Sequence, residues 1–162
     1  MKRLLINLFS MGLLLTGSVL QVSCQNKSKN SKEAVSNQED VSYIKEIDAA
    51  FMKEHIFDYE KNPTQFVYKG NKPAVIDFYA NWCGPCRQLA PKLERVINSY
   101  NGEIILYKVN VDNNRELAAR FAVESIPMVL FIPIGDTPYQ TMGNLPEATI
   151  KEYIEKILPK KN

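Results

Sequence analysis

The spacing of apolar and polar positions divides the chain into three stretches. From Leu4 to Leu20 it is mostly apolar, and no charge follows Lys2 and Arg3 until Lys27. Gln25 to Asp40 is polar, rich in Gln, Asn, Lys and Ser, with little to bury. From Val41 onward the periods are those of folded elements. Val41 to Ile47 alternates as a short strand does. Asp48 is placed to cap a helix over about Ala49 to Phe57, with Phe51, Met52 and Ile56 inward. Asn62-Pro63 and Gly70 to Pro73 carry turn chemistry. Ala74 to Tyr79 is a short apolar run, the signature of a strand buried on both faces. A long helix is predicted from about Cys83 to Tyr100, ended by Asn101-Gly102. Ile104 to Val111 reads as a second buried strand, Asn114 to Phe121 as a helix, and Met128 to Ile132 as a third central strand. Tyr139 to Met142 suits an edge strand. Pro146 to Leu158 suits a last helix with proline in its first turn and Ile150, Tyr153, Ile154 and Ile157 as its stripe. Strand–helix–strand followed by two strands and a helix implies an α/β fold on a mixed sheet.

Composition narrows the classes. The 162 residues are 45% hydrophobic, 10% aromatic and 23% charged, which suits one globular domain with an appendage. The net charge of +2 resides in Lys2 and Arg3; without them, 18 basic and 18 acidic groups balance. A neutral domain gives no case for nucleic acid. A basic start, an apolar run and small residues describe a signal peptide over residues 1–23. A retained membrane anchor is the rival, weakened by Asn7, Ser10, Gly12, Thr16, Gly17 and Ser18. Val22-Ser23-Cys24 resembles the lipobox of bacterial lipoproteins, although Gln21 stands where Leu is usual. That resemblance implies lipidation of Cys24 and a membrane contact without a spanning helix; the polar run makes 24–40 a tether, before a domain over 41–162. The expected location is exported, periplasmic and membrane-tethered.

Chemistry gathers at Trp82-Cys83-Gly84-Pro85-Cys86, where a buried strand gives way to a helix. Two cysteines three apart on a first helical turn can bring their sulfurs within bonding distance. Free N–H groups and the dipole at a helix start stabilise a thiolate. Cys83 is therefore expected as the nucleophile and Cys86, further inside, as the resolving thiol. Pro85 suits a first turn, having no N–H to leave unpaired. Zinc needs four ligands, and of Cys and His only Cys24 and His55 remain, so no metal is expected. A static disulfide across so short a loop gains little closure entropy. A Cys–His nucleophile would need His55, which nothing brings near Cys83; His55 gets no role.

This segment, following Asp77-Phe78-Tyr79-Ala80-Asn81, resembles the thioredoxin family, as do Pro91, Lys108, Asp112, Ile126-Pro127 and Gly143. The resemblance covers Lys72 to Leu158 well and Val41 to Asn71 loosely. It implies a thioredoxin-like fold, a central mixed β-sheet flanked by helices. It also implies protein-disulfide reduction with no cofactor, disulfide-containing proteins as substrates and an unidentified thiol-reducing partner, by a monomer. Asp77, in an apolar strand, should have a raised pKa. The resemblance makes it the general base for Cys86, and Lys108 its partner. Trp82, Gly84, Pro85, Ile126, Pro127 and Gly143 are implied as substrate-binding, with Pro127 a cis proline. Gly-Pro between the cysteines is similar to strongly reducing members, whose potential lies near roughly −270 mV. A disulfide oxidase or isomerase, and a tethered binding or chaperone module, are the alternatives. Arg87, Tyr79 and Asn81 depart from common members, and Tyr59 to Asn71 is longer than usual.

Overall fold

The computed structural model describes residues 43–160. The expected signal peptide, Cys24 and the tether lie outside the described residues. Ten segments follow in order. They are β1 (Ile44–Glu46), α1 (Ala49–Phe51) running into a π-helical turn (Met52–Ile56), β2 (Ala74–Tyr79), α2 (Gly84–Asn98), β3 (Ile105–Asn110), α3 (Arg115–Arg120), β4 (Met128–Ile132), β5 (Tyr139–Met142) and α4 (Glu147–Ile157).

The strands make one mixed sheet in the order β1-β3-β2-β4-β5. β1 and β2 run parallel to β3 on either side; β4 is antiparallel to β2, and β5 to β4. Side chains alternate across a strand, so β2 and β3 each feed two cores. Ile76 and Phe78 of β2 with Tyr107 and Val109 of β3 pack against Met52, Ile56, Phe57 and Leu117. Val75 and Leu106 point the other way, into Leu89, Leu93, Val96 and Ile97 of α2 and Ile150, Ile154 and Ile157 of α4. Those helical residues recur at intervals of three and four, one stripe on each helix. β4 closes both layers, with Phe131 fully buried and stacked on Tyr153 at 4.9 Å.

Local signals account for several boundaries. Asp48 caps α1 by accepting the Phe51 N–H at 2.8 Å. The expected helix over 49–57 opens into a π turn, with the Phe57 N–H on the Met52 carbonyl, and Met52 and Ile56 remain inward. Pro91 sits inside α2 without ending it. Past α2, Asn101 and Gly102 have positive φ; a Cβ on Gly102 would lie 2.2 Å from the Tyr43 ring, so only glycine fits. Pro146 caps α4 from outside its first turn, one place before the predicted position.

Candidate active site

β2 delivers the chain into the site. Past Tyr79 a tight turn, with the Cys83 N–H on the Ala80 carbonyl at 3.1 Å, brings Cys83 to the start of α2. Cys83 is the N-cap residue, and its sulfur accepts the Cys86 N–H at 3.1 Å. A disulfide joins the two cysteines, with Cα atoms 5.3 Å apart. Both are buried, at 4% and 2% exposure, so the deeper place expected for Cys86 is a small difference. The Cys83 sulfur thus sits where orphan N–H groups and the dipole favour a thiolate once the bond is reduced. Pro85 lies exposed in the first turn. A Cβ on Gly84 would meet only Arg87, 4.0 Å away, so space does not demand glycine there.

The walls come from other elements. Trp82 is 69% exposed, and its Nε1–H donates to Asp112 Oδ2 at 3.0 Å. Asp112 is itself held by its N–H to Asn110 Oδ1. Ile126 packs against the cysteine pair with Ala80, Tyr79 and Val111. The Ile126–Pro127 peptide bond is cis, and the Pro127 carbonyl accepts the Gly143 N–H at 2.8 Å. Gly143 has φ +90°, a conformation that suits glycine. A groove of about 640 Å³ runs between Trp82, Asp112, Arg115, Val123 and Ile126. Ser125 and Met142, with Oγ and Sδ 3.3 Å apart, lie near its rim. A larger cavity, about 930 Å³, lies between Lys72, Tyr100, Glu155 and Leu158, at the end where β2 begins, and is lined by no cysteine.

Asp77 is 1% exposed, and its Oδ1 has no hydrogen-bond partner. Burial pushes its pKa up from 3.8 to about 7, Lys108 opposes this, and Glu94 adds to it. Lys108 is Asp77's neighbour across β2 and β3, yet its ammonium does not rest on Asp77. It pairs with Glu94 Oε1 at 3.1 Å and lies 5.4 Å from the centre of the Tyr79 ring. The expected partnership therefore acts through space. A cleft of about 180 Å³, lined by Tyr79, Cys86, Arg87, Ala90 and Lys108, reaches the second cysteine.

Sequence reasoning missed Glu94, the part Asp112 plays under Trp82, and Glu46, which accepts the Tyr79 hydroxyl at 2.7 Å. A signal for Glu94 existed, because Cys86, Ala90 and Glu94 are four apart and share one ridge of α2. His55 is exposed beside Glu54 and takes no part. Among the described residues, no group of His, Cys, Asp and Glu gathers to hold a metal.

Comparison with known proteins follows the same geometry. The thioredoxin family model matches residues 54–156. The thioredoxin of Borreliella burgdorferi is 40% identical over 100 residues, 62% of this chain and 85% of that one. The M-type chloroplastic thioredoxin of Spinacia oleracea is 37% identical over 94 residues, 58% of this chain and 52% of its own length. Among solved structures, that of chloroplastic thioredoxin z aligns with a TM-score of 0.57 at 28% identity, covering 70% of this chain and 93% of the other.

Proposed function

We propose residue roles and a compartment for this chain, which belongs to the thioredoxin family and is a protein-disulfide reductase acting through Cys83 and Cys86. The observation that carries the roles is the Cys83 sulfur at the head of α2, with Cys86 one turn inside and Asp77 buried on the preceding strand.

In the reduced enzyme the Cys83 thiolate attacks one sulfur of a substrate disulfide. The other substrate sulfur leaves as a thiolate, and a mixed disulfide forms. The Asp77 carboxylate takes the Cys86 proton. A carboxyl with a pKa of about 7 is suited to that exchange at neutral pH. The Cys86 thiolate then attacks the Cys83 sulfur, and the second substrate thiolate departs. Two electrons have passed to the substrate, and the enzyme is left as the Cys83–Cys86 disulfide. Trp82, Gly84, Pro85, Ile126, Pro127 and Gly143 form the docking rim; the exposed Trp82 and the groove beside Ile126 support that role. A thiol-reducing partner returns the enzyme to its dithiol, since the chain carries no flavin or nicotinamide signature.

The compartment rests on the N-terminal pattern: Lys2-Arg3, the apolar run, and Val22-Ser23 before Cys24. We assign the protein as an exported, periplasmic, monomeric lipoprotein held by acyl chains on Cys24. β1 begins at Ile44 and runs parallel to β2, so its first residue lies at the end of the sheet opposite the one that Cys83 follows.

Replacing Cys86 by Ser tests the mechanism. Mixed disulfides should accumulate through Cys83, and their absence would refute the assignment. A potential close to roughly −120 mV instead of roughly −270 mV would favour the oxidase reading. Mass spectrometry of the mature N-terminus tests the address. An intact Met1 or an unacylated Cys24 would remove the lipid anchor.

A further inference from the structure

Asp77 and Lys108 are paired across β2 and β3. Their strand positions match those of Val75 and Leu106, which lie in the core under α2, so both side chains leave the sheet on that side. Lysine has a flexible four-carbon stem and could reach a neighbouring carboxyl directly. The ammonium goes elsewhere. Glu94 accepts from it at 3.1 Å, and the Tyr79 ring lies beneath it at 5.4 Å. The Tyr79 hydroxyl is tied in turn to Glu46 Oε1 at 2.7 Å, which fixes the ring. Asp77 Oδ1 is left unpaired. Glu94 stands two turns along α2 from Cys86 on one ridge, and Cys86, Ala90 and Lys108 line a common cleft.

We propose that Glu94 is a positioning residue: it holds the Lys108 ammonium away from Asp77, leaving that carboxyl free to take and return the Cys86 proton. The functional half of this rests on Asp77 being the base assigned above. An ammonium in contact with a carboxylate favours the ionised form and makes it a poorer base. Moved onto Glu94, the same cation opposes the effect of burial only in part. The other titratable groups around this cluster are Cys86 and Arg87 on α2, Tyr79 on β2 and Glu46 on β1. β4 sets only Val129 opposite Asp77.

The test uses the reduced full-length protein and its Glu94→Gln, Glu94→Asp, Lys108→Met and Glu94→Gln/Lys108→Met variants. The Asp77 carboxyl is titrated by NMR, and the rate of the resolving step is measured against pH. Glu94→Gln should lower the Asp77 midpoint by about one pH unit, because Lys108 is released toward it. Glu94→Asp should restore most of the parent midpoint. In the Lys108→Met background the Glu94→Gln effect should shrink severalfold, since no cation remains to be released. An unmoved midpoint in Glu94→Gln overturns the proposal. So does an equal drop in both backgrounds, which would mean that Glu94 acts by its own charge alone. If the midpoint moves while the pH profile of the resolving step stays put, the Glu94–Lys108 device stands and Asp77 is not the base.

Discussion

At the scale of single residues, Asp77 works against the fold. Its pKa in the folded protein, about 7, lies above the ordinary 3.8, chiefly through burial. Between those values the folded state keeps a proton that the unfolded chain has released. Stability therefore falls as pH rises from about 4 toward 7, and the loss is complete above the folded pKa. The span sets a ceiling of roughly 4 kcal/mol on the cost at pH 8. Asp77→Asn should abolish most of this slope. It should unfold at clearly higher urea than the parent at pH 8 and at nearly the same urea near pH 4. The same variant should slow release from mixed disulfides if Asp77 is the base. A parent-like fall in stability between the two pH values would contradict the assigned burial cost.

At the scale of elements, the stretch between the π turn and β2 holds its shape without a strand or helix. Its own side chains and α3 supply the order. Phe57 packs on Phe66 at 4.5 Å and on Phe121 at 6.1 Å. The Asp58 carboxylate is held below the usual carboxylate range chiefly by the Lys61 N–H that it accepts, and further by the Lys61 and Lys69 ammonium groups that it faces. Arg120 of α3 donates to the carbonyls of Tyr59 and Pro63 and lies over the Tyr59 ring. Arg120→Met should leave those carbonyls without their donors, a local cost of about 1–2 kcal/mol. Hydrogen exchange should then run about tenfold faster at the Asn62 and Lys69 amides, which close this stretch, and stay unchanged in β2. Sequence alone showed only that this connection is long. Its order depends on Phe121 and Arg120, some sixty positions away, which no local period encodes.

At the scale of the whole molecule, the two cores draw on described residues from Tyr43 to Leu158. A chain beginning at Val41 should therefore melt with the parent and reduce insulin disulfides at the parent's rate. A large loss of either would mean that the segment before Val41 contributes to the domain. The sheet also explains how separate stretches make one site. β2 is central, flanked by β3 and β4, so the turn after it lies beside the ends of both neighbours. That adjacency brings Cys83 and Cys86 to Ile126 and sets Trp82 over Asp112.

Short-range features were legible from the residues alone. Asp48 sits one residue before a helix, two cysteines share a first turn, and Asp77 interrupts an apolar strand that must be buried. Met128–Ile132 and Tyr139–Met142 form where their periods place them, because a strand's pattern is a property of its own residues. Tertiary structure decided the pairings. Lys108 faced a choice among acidic groups on β1, β2 and α2. The choice fell to Glu94 because the packing of α2 on the sheet brings that carboxylate to the ammonium, while Asp77 is shut away from water. Charge identity is local, but which opposite charge is nearest depends on how layers far apart in sequence come to rest on one another.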